Sequence, residues 1–148
     1  KNKLTLKNIQ AVIAGMHPLE GALDFLNWLR ARVQVIIVSD TYVEFAGPLM
    51  EKLGWPTLFC NTLTVGSDGR ITDYNLRQND GKKEVILALQ RLNYKVIAIG
   101  DSYNDITMLK AAENAILFCP PENVKKEYNQ FPTAFTYAEL KNRIQTIL

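Results

Sequence analysis

Residues 96–105, VIAIGDSYND, place a β-rich apolar run directly before a polar cluster. Such a run is typical of a strand buried in a parallel sheet, which ends at a site on the carboxyl edge. Asp101, Asn104 and Asp105 then supply oxygen ligands, and Mg²⁺ takes one or two carboxylates together with a phosphate group. The stretch predicts a Mg²⁺-dependent phosphate site. Gly-Asp-Ser and Asn-Asp also occur in turns and helix caps, so a purely structural role stays open here.

The composition is that of an ordinary globular domain. The 148 residues are 47% hydrophobic and 22% charged, which allows one domain with a real core. The net charge is only +2 and no basic block occurs, so we expect no nucleic-acid partner. Apolar stretches are too short to cross a membrane. Cys60 and Cys119 lie outside any metal-binding spacing, and we expect buried free thiols in a reducing, cytoplasmic compartment.

Helical and strand patterns alternate along the chain. Apolar spacing predicts helices over 4–14, 21–31, 42–53 and 105–112, one that Asp80 caps, and one from a capping box at 136–139 to Leu148. Apolar and β-branched runs predict strands over 33–38, 57–65, 71–76, 95–99 and 115–118, with a hairpin turn at 66–69. This order favours an α/β fold with a mostly parallel sheet.

Two more crossovers bring polar groups to the carboxyl edge of that sheet. Ser39, Asp40 and Thr41 follow the strand over 33–38 and supply a hydroxyl and backbone N–H groups suited to phosphate oxygens. Lys82 lies at the start of the helix after Asp80, where the helix dipole disfavours a cation by a few tenths of a kcal/mol. A solvated surface lysine is the alternative, and Lys83 takes the role of Lys82 if the helix starts one residue later.

Taken together, these segments resemble the sequence motifs of the haloacid dehalogenase superfamily. Residues 38–41 match its second motif, Lys82 its third and residues 100–105 its fourth. Within the superfamily the chain looks most like the phosphoserine phosphatase branch, and most like its bifunctional subgroup, which also transfers phosphate from phosphoserine to homoserine. Shorter matches support this at 18–21, 78–80, 121–124 and 131–137. Ser102 replaces a glycine of many phosphoserine phosphatases, which fits the bifunctional subgroup better.

The resemblance implies a Rossmann-like three-layer sandwich and a Mg²⁺-dependent enzyme that transfers phosphate from phosphoserine to water or to homoserine. It implies that Asp101 and Asp105 form the metal site and that Ser39 and Lys82 are catalytic. Ser39, Asp40, Thr41, Lys82 and Asn104 would bind the phosphoryl group. The oligomeric state, including a homodimer, is left open.

The family's first motif, an Asp-x-Asp loop that supplies the nucleophile, has no counterpart in these residues. We therefore expect the leading strand, most of the helical cap and the nucleophile to lie upstream, in a missing N-terminal segment of the same protein. Residues 1–16 would be the end of the cap and residues 17–148 the core, and this chain alone would be inactive. The alternative is an inactive module of the same fold that binds a phosphorylated ligand or a protein partner.

Overall fold

The computed structural model describes residues 5–148, which divide into two compact units, the described residues up to Asn79 and Asp80–Leu148. Leu4, with which the first predicted helix begins, lies outside the described residues, as does part of the segment assigned to the cap. Within the described chain, the strands pair as two three-stranded sheets, one in each unit. Parallel pairs predominate and helices alternate with strands, so the predicted α/β class is confirmed.

Over its described residues, 5–79, the first unit contains three helices and three strands. In chain order these are α1 (Leu6–Ala14), α2 (Ala22–Arg30), β1 (Ile36–Tyr42), α3 (Val43–Lys52), β2 (Thr57–Val65) and β3 (Ile71–Asn75). Strand β1 pairs in parallel with β2, and β2 pairs antiparallel with β3. The β2–β3 pair is the predicted hairpin. Its turn closes through a hydrogen bond from Gly66 N to Arg70 O of 2.8 Å.

Local signals define the helix ends of this unit. Thr5 caps α1 through a capping box with Asn8, in which Asn8 Oδ1 accepts from Thr5 N at 2.9 Å. At the end of α3, Gly54 takes φ +68°, and Trp55 N donates to Met50 O at 2.8 Å. That pairing is the Schellman motif expected where glycine follows a helix. The predicted stop at Gly54 is confirmed.

The second unit carries a parallel sheet between helices. Its elements are α4 (Gly81–Arg91), β4 (Ile97–Gly100), a 3₁₀ helix (Tyr103–Asp105), α5 (Ile106–Ala111), β5 (Asn114–Phe118), α6 (Glu122–Glu127), β6 (Thr133–Ala134) and α7 (Tyr137–Ile147). The sheet order is β4-β5-β6, with Gly100 opposite Leu117. The most deeply buried side chains are Leu109, Ile116, Leu117, Val124, Leu140 and Ile144. Leu117, which belongs to this core, pairs with Gly100 at the end of β4.

Several predictions need correction. The first strand covers Ile36–Tyr42 and not residues 33–38, so it includes Ser39–Thr41. The capping box at Thr136 forms only in part, because Glu139 Oε2 accepts from Phe135 N at 2.7 Å. Short α6 and β6 were not predicted, since six- and two-residue elements are too short for a periodic pattern.

The two thiols differ in environment. Both cysteines are free, as expected, but only Cys60 is buried, and the prediction of a buried Cys119 is wrong. Burial raises the pKa of the Cys60 thiol, with the Arg77 charge opposing and the Glu44 charge adding to the shift. Across residues 5–148, the structure contains no helix whose length and apolar character would let it cross a membrane.

Candidate active site

The carboxylate of Asp105 is the centre of a buried polar cluster in the second unit. Its Oδ1 accepts from Lys82 Nζ at 2.8 Å, and the two side chains are only 13% (Lys82) and 10% (Asp105) exposed. Its Oδ2 accepts from Asp101 N at 2.9 Å, and from both the N–H and the hydroxyl of Ser102 at 3.2 Å. An ion pair so shielded from water is stronger than an exposed one, and both members are fixed in position.

The local sequence explains why Asp105 turns back onto its own strand end. Strand β4 ends at Gly100, and Ser102 caps the 3₁₀ helix Tyr103–Asp105 in a capping box whose second member is Asp105. The chain therefore folds back over Gly100, where a Cβ atom would lie 2.4 Å from Asp105 Cβ. Sequence reasoning assigned Gly100 no role. The sequence did contain an indication of this role, because a glycine in a strand often marks the close approach of another chain segment.

The two aspartates of this loop have opposite pKa shifts. Partial burial raises the pKa of Asp101, and the adjacent Asp105 carboxyl adds to the rise through a hydrogen bond and its charge. Burial alone would also raise the pKa of Asp105. The hydrogen bonds from Lys82 and from the N–H groups of Asp101 and Ser102 outweigh it and lower that pKa. The negative charge of Asp105 is thus already compensated by Lys82 and by N–H donors. The ionised form of Asp101 is disfavoured by its surroundings, and a cation beside it would relieve that.

The donor set fits Mg²⁺ through Asp101. This side chain is exposed at the end of β4, and Asn104 is exposed on the same loop. Asp105 Oδ2 already accepts three hydrogen bonds and Oδ1 faces the Lys82 ammonium, so direct ligation by Asp105 would compete with that ion pair. Among the residues that the structure describes, no group of three His, Cys, Asp or Glu side chains could hold a metal. One or two carboxylates suffice for Mg²⁺, which keeps several waters.

A second side-chain hydrogen bond, between Asp80 and Thr107, joins the same two helix starts as the Lys82–Asp105 pair. Asp80 precedes α4 with φ +52°, and its Oδ1 accepts from Thr107 Oγ1 at 2.6 Å. Asp80 is thus the N-cap residue of α4, as predicted, but its side chain makes no capping hydrogen bond to the helix. Asp80–Thr107 and Lys82–Asp105 both join the start of α4 to the start of α5. Thr107 was missed, since nothing in its sequence position indicates this partner.

The predicted phosphate-binding residues of the first unit lie where the β1–β2 ladder is interrupted. Val38 pairs with Phe59, and pairing resumes only at Tyr42 with Asn61. The segment between them, Ser39–Thr41, is turned so that Thr41 N donates to Ser39 Oγ at 3.2 Å. Because that oxygen accepts, the hydroxyl proton of Ser39 can be donated elsewhere. Helix α3 begins two residues after this segment.

The candidate residues thus form two groups. In the second unit the structure brings Lys82, Asp101 and Asp105 together, with Asn104 on the same loop. In the first unit Ser39, Asp40 and Thr41 form a separate segment. The assembly of both groups into one site stays a prediction.

Comparisons with known proteins identify the family to which the chain is similar. A family model described as haloacid dehalogenase-like hydrolase matches residues 2–113. Phosphoserine phosphatase ThrH of Pseudomonas aeruginosa is 53% identical over 138 residues, covering 93% of this chain and 67% of that protein. A phosphoserine phosphatase of Pseudomonas syringae pv. tomato is 52% identical, covering 93% of this chain and 58% of that protein. The chain therefore spans about three fifths to two thirds of these relatives.

Solved structures show the same fold. A substrate-bound phosphoserine phosphatase complex superimposes with a TM-score of 0.78 at 25% identity, covering 98% of this chain and 71% of that one. A phosphoserine phosphatase in the apo form gives 0.77 at 26% identity, covering 96% and 73%.

Proposed function

This chain belongs to the haloacid dehalogenase-like hydrolase family, and we propose that the whole protein is a Mg²⁺-dependent phosphatase for phosphoserine. Two relatives, 53% and 52% identical, carry the name phosphoserine phosphatase. The observation that carries the proposal is the buried Lys82–Asp105 pair beside the exposed Asp101 carboxylate. Such a cluster would supply a positioned cation and a metal-binding carboxylate, a combination that phosphoryl transfer uses.

Lys82 would contact the phosphoryl oxygens. Its ammonium is held by Asp105 in a largely buried position, so little reorganisation is needed when charge develops on the transferring group. In the first unit, the Ser39 hydroxyl and the Asp40 N–H would bind phosphoryl oxygens, and Thr41 would contribute through its side chain, since its N–H donates to Ser39 Oγ. Asn104 would contact the phosphoryl group from the loop after β4.

Mg²⁺ would be held by Asp101, with Asp105 completing the metal site mainly by fixing the loop. When bound, the ion would offset negative charge on the phosphoryl oxygens and orient them. The remaining work falls to the protein's own groups: Lys82 would bind phosphoryl oxygens, the Ser39 hydroxyl would donate to the phosphoryl group, and Asp105 would hold the Lys82 ammonium in position.

The nucleophile would be an aspartate of the whole protein that precedes these residues. Its carboxylate would attack phosphorus as the bond to the serine oxygen breaks, forming an aspartyl phosphate, and a second aspartate would protonate the leaving oxygen. Water, deprotonated by that second aspartate, would then release phosphate, or homoserine would accept the phosphoryl group. In this proposal residues 1–16 end a helical cap, and residues 17–148 belong to the catalytic core. We place the protein in the cytoplasm on the basis of its two free cysteines.

The test is an assay of the purified whole protein with phosphoserine, with and without Mg²⁺ and with excess EDTA. We expect phosphate release that requires the metal, and ³¹P NMR in the presence of homoserine would report any transfer to that acceptor. Phosphothreonine serves as the matched substrate control. Binding of phosphoserine without phosphate release would contradict the proposal and support a binding module.

A further inference from the structure

The side chain of Asn61 makes a hydrogen bond to the Ser39–Thr41 segment. Asn61 lies in β2, opposite Tyr42, and its Nδ2 donates to the backbone carbonyl of Asp40 at 3.1 Å. Its Oδ1 accepts from Arg77 N at 3.2 Å. The same arginine donates through Nε to the carbonyl of Cys60 at 2.5 Å. Both ends of the Asn61 amide are therefore used, and the Arg77 N–H determines that the NH₂ group faces Asp40.

The contact matters because of the peptide unit that it fixes. The Asp40 carbonyl and the Thr41 N–H belong to one planar peptide group, so anchoring the oxygen sets the direction of the N–H. That N–H donates to Ser39 Oγ. The segment has left the β1–β2 ladder, so the ladder does not hold this peptide unit. A continuous chain of hydrogen bonds thus runs from Arg77 through Asn61 and one peptide plane to the Ser39 hydroxyl.

We infer that Asn61 is a positioning residue for phosphoryl binding, which acts by orienting the Ser39 hydroxyl. The inference rests on the proposed function for the role of Ser39, and on the structure for the contact. Asn61 would not touch the substrate itself. Its loss would remove the hydrogen bond that anchors the Asp40 carbonyl, and the Ser39 hydroxyl would be held less firmly toward the phosphoryl oxygens.

The test compares Asn61→Ala and Asn61→Asp with the same changes at Asn75. Asn75 is a matched control, because its Nδ2 also makes a hydrogen bond within the β2–β3 hairpin, to Thr64 Oγ1 at 3.1 Å. Asn61→Asp keeps an oxygen for Arg77 N–H but turns an oxygen toward the Asp40 carbonyl. Asn61→Ala excludes an effect of the added charge. We expect both Asn61 variants to raise KM for phosphoserine and the inhibition constant of inorganic phosphate about tenfold. The Asn75 variants should stay within about twofold of the unmodified protein.

A double-mutant cycle distinguishes positioning from loss of stability. In the Ser39→Ala background, Asn61→Ala should have little further effect on the inhibition constant, since the hydroxyl that it orients is gone. Additive effects, or equal effects of the Asn61 and Asn75 variants, would overturn the inference.

The inference about Asn61 can be tested even if the protein releases no phosphate from phosphoserine. If the unmodified protein releases no phosphate from phosphoserine, the proposed function fails. Calorimetric titration with inorganic phosphate then tests the inference alone. Weaker binding by Asn61→Ala than by Asn75→Ala supports it. Equal binding, or no binding of phosphate by the unmodified protein, overturns it.

Discussion

Gly100 lies directly against Asp105: a Cβ atom added at Gly100 would be 2.4 Å from Asp105 Cβ and 2.8 Å from Asp105 Oδ2. The turn that brings Asp105 back to the end of β4 therefore needs a residue without a side chain. The contact involves the first atoms of the Asp105 side chain, which cannot move aside without moving the backbone. The geometry of the Lys82–Asp105 pair therefore depends on the glycine at position 100.

Gly100→Ala should therefore displace Asp105 and abolish activity. Overpacking of this kind costs about 1–3 kcal/mol of unfolding free energy. Gly47→Ala is the matched control, because nothing lies within 4 Å of a Cβ at Gly47 inside α3. Because Gly47 precedes Pro48, whose ring disfavours a helical residue with a Cβ before it, that change should gain little stability, and it should leave turnover unchanged. Urea unfolding and phosphate release measure both effects, and normal turnover by Gly100→Ala would contradict the assignment.

Lys82→Met should lower kcat by about 10²–10³-fold, since it removes a fixed donor from the developing charge. It also leaves the Asp105 charge without its cation, which we expect to cost about 2–3 kcal/mol of stability. Lys83→Met is the control and should keep kcat within about twofold, because Lys82 is the lysine whose Nζ contacts Asp105. Steady-state kinetics decide between the two, and a larger loss from Lys83→Met would reverse the assignment.

Asp101→Asn should raise Tm at neutral pH in the absence of metal. The pKa of Asp101 is raised by burial and by Asp105, so its ionised form is disfavoured in the fold. The variant should also lose the stabilisation by Mg²⁺, which for the unmodified protein is about 2.7 kcal/mol at 100 times Kd. Asp73→Asn, on the hairpin, is the control. Thermal shifts in a Mg²⁺ titration measure the response, and an unchanged response in Asp101→Asn would place the metal elsewhere.

Stability should fall in acid partly through Asp105. Its pKa is lower in the folded state than in the unfolded chain, because the hydrogen bonds from Lys82 and from two N–H groups outweigh the effect of burial. The folded state thus binds fewer protons, and the contribution is present above the unfolded pKa of about 3.9 and is lost as pH falls through the folded value. Asp101, with its raised pKa, acts in the opposite direction.

The measurement is the urea unfolding free energy between pH 7 and pH 3 in an Asp101→Asn background. Adding Asp105→Asn should flatten the acid side of the curve. An equally steep fall with and without Asp105 would show that this ion pair contributes no pH dependence.

Much of the fold followed from local pattern. The helix after Asp80 and the hairpin at 66–69 were predicted from residues within a few positions of one another, and both are present. Asp80 takes the predicted N-cap position, but its carboxylate accepts from Thr107, which is 27 residues away, and makes no capping hydrogen bond. A capping preference is local, whereas this partner is set by the tertiary fold. Strand β1 was placed too early because the apolar run begins before the pairing with Thr57 does.

The sequence by itself determined the family, the order of the longer elements and the polar residues near the strand ends, because these depend on composition, periodicity and short motifs. Only the tertiary structure determined which contacts each of those residues makes. It shows that both Asp105 oxygens already accept hydrogen bonds, that Gly100 leaves the space for Asp105, and that Asn61 holds the Asp40 carbonyl. Each of these facts depends on the position of atoms across a fold-back or between strands. Such positions are set by packing and hydrogen-bond competition over the whole unit, which no short stretch of sequence contains.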